Sequence, residues 1–426
     1  MAFLRSLFSG VSALRNHQTM MDVIGNNIAN VNTAGFKASR ASFSELYSQT
    51  IQNASRPTTT NGGTNAMQVG LGMSVSSLDA VFNQGSIERT GGDLDLAVFG
   101  PGFFVVKSGG QNMYTRDGQF KWDADGRIVT GSGAILQGKM ADADGVVPSG
   151  TTLADIQIDA GIKSPAKATT TLKFAGNLNS DDETYSAGPP PTGGYVESTA
   201  DVYDSLGNKI SIKLAFTKTG TGAWSWTAEV PPDTVGGTPT PVGTGTLTYD
   251  TAGKLSATGT QHVQFTPPSG GDQMDIDFDF GTMGEFTGVT GAKLGSASIV
   301  KMSSQDGYAA GSLLSVAFDE KGFINGTFSN GTIQKLAQVM LAEFANPSGL
   351  TRSGDNAFTL SANSGSEILV NPGDASTLSA GAIEQSNVDL ADEFTKMITA
   401  QRGFQASARV ISTSDEFLQE VVNLKR

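Results

Sequence analysis

The side chains best suited by type and spacing to do chemistry are carboxylates. Asp123-Ala124-Asp125-Gly126 and Asp142-Ala143-Asp144-Gly145 look like fragments of a calcium loop, but an EF-hand needs an acid at its first ligand position, where Lys121 and Met140 stand. Turn chemistry is the plainer reading of both. Asp275, Asp277 and Asp279 alternate with Ile276, Phe278 and Phe280. On a strand they form a carboxylate row, read as a solvated face opposite an apolar one. The two histidines, His17 and His262, have no ligand-spaced neighbour in sequence and read as packing or surface residues. No phosphate-binding loop is present, and no nucleophile, base and orienting group can be assembled. Trp224 and Trp226 share one strand face; that spacing could make a sugar platform, but it suits an apolar core better. The sequence therefore predicts no catalytic residue, no metal site and no cofactor.

Composition narrows the class further. The 426 residues include no cysteine, which removes disulfides and thiolate chemistry. A net charge of −13 argues against a general nucleic-acid binder and against anionic membrane surfaces. No apolar run approaches the ~18 residues of a membrane span, and Arg5 and Arg15 interrupt any signal-peptide core. Any export would have to proceed without a cleaved signal.

The elements differ sharply between middle and ends. The middle carries a recurring aromatic-Asp-x-x-Gly pattern at Trp122, Tyr203, Tyr249 and Phe318, predicting type I turns with a left-handed Gly and flanking strands. Alternation at Ile210–Leu214 and Asp275–Phe280 supports those strands. Loop-rich stretches at residues 53–70, 180–195 and 230–245 mark boundaries. At the N-terminus a heptad stripe of Leu4, Leu7, Val11, Leu14, Met21 and Ile28 is broken by Gln18 and Gly25. At the C-terminus Leu390, Met397, Phe404, Ile411 and Leu418 fill one seam position, and Phe394, Gln401, Ala408, Asp415 and Val422 the other. Each helix should run roughly 25–38 residues, about 40–55 Å.

The expected architecture is mainly β with long terminal helices: a helix at 1–30, a discontinuous inner β domain at 31–160 and 301–385, an inserted outer β domain at 161–300, and a helix at 386–426. The stripes Leu4 to Ile28 and Leu390 to Val422 are expected to contact neighbouring subunits. An antiparallel pair stapled to the β body inside one chain is the plainer alternative; against it stand an apolar seam that needs a partner and the lack of a long linker to let either helix fold back over the sheet. Gly10, Ala13, Gly403, Ser407 and Ala408 would permit close approach, while Gln401 and Asp415 would be buried polar residues fixing register.

Several motifs resemble one family. Ile24-Gly25-Asn26-Asn27-Ile28-Ala29-Asn30-Val31-Asn32-Thr33-Ala34-Gly35-Phe36-Lys37 is similar to the N-terminal signature of the flagellar rod and hook axial proteins. Gly92–Val98 with Pro101–Phe104, Tyr114–Gly118, Ser386–Leu390 and Ile398–Phe404 resemble the same family. Val202–Asn208, Gln305–Ala309 and Phe344–Leu350 resemble the larger hook-type members, and the shorter rod type is the alternative. The resemblance implies a non-enzymatic subunit of a helical tube in the flagellum that couples motor to filament. Its implied partners are further copies of itself, a rod protein, a hook–filament junction protein, the hook cap and the flagellar type III export apparatus. A secreted β-rich adhesin or carbohydrate-binding protein is the reading from another class.

Overall fold

Five short turns share one hydrogen-bond scheme, and four of them join consecutive strands. In each, an Asp amide donates to the carbonyl four residues on, and the Gly amide three residues on donates back to the Asp carbonyl. The turns are at Asp123, Asp142, Asp204, Asp250 and Asp319. The carboxylate takes up further amides: Asp250 Oδ1 accepts from Ala252 and Lys254, and Asp142 Oδ1 from Asp144 and Val146. The Gly of each turn lies at φ +74° to +84°, where a Cβ would be strained. Both calcium-like fragments are thus turns whose carboxylates bind their own backbone.

The computed structural model describes residues 2–59, 61–159, 161–188, 191–230, 240–257, 260–267 and 270–423, with the backbone alone for 2–4 and 421. Much of the expected 230–245 loop, Pro189 and Pro190 of the Pro triplet, and the side chain of Leu4 lie outside the described residues. The chain divides into two compact units. The first takes Met1–Ala160, Val316–Gly326 and Lys335–Arg426, and the second Gly161–Ser315 and Thr327–Gln334. The contact boundary therefore falls after Ser315, where composition placed it after residue 300.

In the first unit, α1 (Ala2–Ala29) and α2 (Leu390–Asn423) are the only helices longer than one turn among the described residues. Asp389 starts α2 by accepting the amides of Ala391 and Asp392, with Asp392 and Glu393 in the first turn. The central sheet is antiparallel. Its strands run in the order Ile333–Val339, Ile135–Met140, Phe103–Ser108, Gln111–Thr115, Ala357–Thr359 and Thr351–Gly354. Phe103 to Val106 are buried in succession, so this strand is covered on both faces. Phe103, Tyr114, Phe344 and Phe358 pack edge-on around it, with Tyr114 and Phe344 centroids 4.7 Å apart. Two short ladders tie the segment before α2 to the N-terminal half: Thr377–Ala380 with Leu96–Phe99, and Ala382–Glu384 with Ile87–Arg89.

The second unit is a pair of sheets around one core. A five-stranded antiparallel meander runs Tyr195–Tyr203, Lys209–Gly220, Ala223–Val230, Thr240–Tyr249 and Leu255–Ala257. The other sheet centres on Thr171–Asn177, parallel to Met274–Asp279 and antiparallel to Ile299–Gln305. Strands here alternate buried and exposed residues, as half-solvated sheets require. Trp224 and Trp226 are buried with Phe216, Phe278 and Phe280, so they are core and offer no sugar platform.

Candidate functional site: the terminal helices and the clasp beneath them

The helices pair with each other, antiparallel, inside the chain. Ser6 Oγ meets Ser414 Oγ at 3.3 Å, and Asn27 Nδ2 donates to Glu393 Oε2 at 3.2 Å near the opposite end. Between them Gly10 faces Ile411 and Ser407, and Gly403 faces His17. Ile24 and Ala400 are buried on the same seam. The internal seam is therefore Ser6, Gly10, His17, Ile24 and Asn27 against Glu393, Ala400, Gly403, Ser407, Ile411 and Ser414. On α1 it lies one residue before the stripe expected from Leu7, Val11, Leu14, Met21 and Ile28. On α2 Met397, Phe404 and Leu418, in line with Ile411, flank it, half-buried, but the second line is displaced by one. Small side chains set this phase, because they let two backbones approach closely.

The displacement leaves apolar surface outside. Leu7, Leu14, Met21, Ile28 and Ala408 are half-buried, and Val11 and Leu390 are exposed. Phe394 is 50% and Val422 66% exposed. Phe8, Ile398, Val410 and Phe417, which the heptad reading did not select, are exposed as well. Gln401 and Asp415, expected to fix register in the seam with neighbouring subunits, face solvent in the single chain. The buried polar residues of the pair are instead Asn16, Asn27, Glu393 and Ser414.

An adjacent side of α1 packs on an antiparallel pair of strands, Ser39–Glu45 with Met73–Ala80. Asn16 Nδ2 donates to Met73 O, and Asn27 exchanges two bonds with Ser39, Nδ2 to O at 2.8 Å and N to Oδ1 at 2.9 Å. The expectation that α1 could not fold back on the β body is thus corrected: residues 30–38 suffice, because Asn27 mimics a strand partner.

Below the helices lies a buried charge cluster. Lys37 Nζ sits 2.6 Å from Glu384 Oε1, and Arg116 Nη1 sits 3.4 Å from Glu384 Oε2, all three side chains being essentially inaccessible. Glu384 Oε1 also accepts the Gly85 amide, and Arg116 donates to Gly100 O and lies over the Phe103 ring. Burial pushes Lys37 and Arg116 below their ordinary values, and Glu384 opposes the shift in both. Gly35, at φ +68°, donates to the Glu384 carbonyl, and a Cβ there would come within 2.5 Å of the Asp117 amide. Asn387 completes the clasp by accepting from Ala38 N and donating to Val81 O. One motif from each end of the chain and one from the middle thus meet at a single carboxylate.

Elsewhere in the second unit, His262 gains partners that sequence proximity did not suggest. Its Nε2 lies 2.6 Å from Asp275 Oδ1 and its Nδ1 2.9 Å from Asp277 Oδ1. The Asp277 hydrogen bond and both carboxylate charges raise the imidazole's pKa above its ordinary value. Among the described residues no group of three or more His, Cys, Asp or Glu is placed to hold a metal ion. Among the same residues, no helix is long and apolar enough to cross a membrane.

Helical ends clasped to a β body define a class. Family models match at four places in order: the flagellar basal body rod protein model at residues 7–37, the flagellar hook protein FlgE/F/G D1 domain at 97–172, the flagellar basal body protein FlaE D2 domain at 177–308, and the flagellar basal body rod FlgEFG protein C-terminal model at 379–424. The chain is a flagellar axial protein by these matches. It is 40% identical to the flagellar hook protein FlgE of Borreliella burgdorferi and 38% to that of Treponema pallidum, each over 99% of this chain and 100% of the relative. A flagellar basal-body rod protein FlgG of Bacillus subtilis matches at 31%, with the same coverage. The chain belongs to the flagellar hook protein family. A crystal structure of the Helicobacter pylori flagellar hook protein FlgE2 shares the fold, with a TM-score of 0.50 at 15% identity over 68% of this chain and 98% of that one.

Proposed function

We propose that the chain is the structural subunit of a bacterial flagellar hook, polymerising through its terminal helices into a flexible tube that passes motor torque to the filament. One observation carries the reading beyond family membership: the helices close on each other through small and polar residues and leave Phe8, Val11, Leu390, Phe394, Ile398 and Val422 exposed. Such surface on both members of a helix pair calls for cover by neighbouring subunits. On this reading Leu7, Leu14, Met21, Ile28, Met397, Phe404, Ala408, Ile411 and Leu418 support the interface from the flanks, and Leu4 belongs to the same stripe.

The subunit is a building block and not an enzyme. It is exported by the flagellar type III apparatus and added beneath a cap. It meets a rod protein at the proximal end and a junction protein at the distal end. A rod subunit is the second reading, favoured by the rod protein match. Electron microscopy of concentrated purified protein tests the proposal: curved tubes are expected, straight rods would favour the rod reading, and a persistent monomer would overturn both.

A further inference from the structure

The first unit carries a cationic cavity that nothing in the helix-based assembly uses. It has a volume of about 550 Å³ and is lined by Lys139, Lys321 and Lys335 with Val146, Phe323 and Asn371. Lys139 forms the floor. It stands in the strand Ile135–Met140, paired with Gln338, and is only 3% exposed. Its ammonium has one hydrogen-bond acceptor, Asn371 Oδ1 at 2.8 Å, where an ammonium can serve three. Lys321 and Lys335 stand exposed at the rim, Lys335 Nζ lying 3.9 Å from the centroid of the Phe323 ring.

None of the three lysines is within ion-pair distance of a carboxylate among the described residues. What sets Lys139 apart from the other unpaired cations is its burial. A sequestered ammonium without a counter-charge is a costly arrangement, and two further cations converge on it. An isolated subunit therefore holds an incomplete ionic site.

We propose that this cavity is a socket for an aspartate or glutamate side chain of a second copy of the chain. The argument for that occupant is charge complementarity. At −13 every copy presents an excess of carboxylates, and a carboxylate entering the cavity meets cations at its rim and at its floor. The inference rests on the polymeric reading above. The socket adds a polar, salt-sensitive contact beside the apolar helix contact.

Carbodiimide cross-linking tests it, because the reagent joins a carboxylate to an amine only where the two already touch. Polymer assembled from a mixture of ¹⁵N-labelled and unlabelled full-length chains should give mixed-isotope peptides linking Lys321 or Lys335 to an Asp or Glu; monomer should give none. The rim variant Lys321→Gln/Lys335→Gln should keep the monomer melting temperature and raise the critical concentration for assembly about tenfold. Tubes without those cross-links, or with an unchanged critical concentration in the variant, overturn the socket and leave the hook reading standing. If the wild-type chain forms no polymer, the hook reading fails, and the socket is judged on monomer by titrating N-acetylglutamate. Saturable NMR shifts at Asn371 and Val146, abolished in the rim variant, support an anion site; their absence overturns it.

Discussion

Gly403 of the second terminal helix lies against the His17 imidazole of the first, so close that a Cβ at 403 would stand 2.5 Å from the ring's Cε1 and Nε2. A helical Gly costs about 1 kcal/mol relative to Ala, and the close approach of the two helices accounts for it. Gly403→Leu should destabilise the helix pair by about 2–3 kcal/mol through overpacking. Adding His17→Ala should recover much of that, a coupling visible in a double-mutant cycle followed at 222 nm, where the helices dominate the signal. Additive effects would show that the two residues do not share this space.

Glu384→Gln tests the clasp. It leaves Lys37 and Arg116 buried without their counter-charge, at a cost of about 3–5 kcal/mol. Hydrogen exchange of the strand Phe103–Ser108 should accelerate by about a hundredfold or more, since each 1.36 kcal/mol is a factor of ten. Unchanged protection would mean that the cluster contributes no net stability to this unit.

His262 gives a pH dependence with a definite sign. Its two ring nitrogens face Asp275 and Asp277, and Gln264 bonds beside it. Its folded pKa is raised above the ordinary value. The contribution to stability is therefore fully present below about pH 6.5 and fades as pH rises through the folded pKa. An NMR titration should place His262 above the free imidazole value, and His262→Gln should flatten stability against pH across that window. A titration at or below the free value would remove the bracketed arrangement.

Phe394 and Ile398 face outward on α2. Phe394→Ser/Ile398→Ser should leave the melting temperature of the monomer nearly unchanged, because neither side chain lies in the internal seam. The same variant should abolish tubes under the microscope or raise the critical concentration at least tenfold. Normal assembly would shift the proposed interface away from this face.

Legibility in the sequence followed the range of the interactions. The turns were readable because each Asp and Gly act within five residues, and Asp142 joined the set for the same reason. The helices were readable from periodicity, and Trp224 and Trp226 from alternation. The internal helix seam, one residue from the heptad stripe, was not legible because a heptad reading weights large apolar side chains, whereas this seam is built on Gly10, Ala400, Gly403 and Ser407. Glu384 was invisible because its partners Lys37 and Arg116 lie 347 and 268 residues away. His262 needed the pairing of Thr260–Phe265 with Met274–Asp279 to bring Asp277, 15 residues distant, beside it.

The position of Glu384 also sets a timetable. Synthesis delivers Lys37 and Arg116 long before the one carboxylate that neutralises them, and the ladder Ala382–Glu384 with Ile87–Arg89 forms at the same late moment. Until then Lys37 and Arg116 lack the carboxylate that both of them face. A polypeptide truncated before residue 384 lacks that carboxylate and the strand that carries it, so the last stretch of chain before α2 completes a site begun by the first.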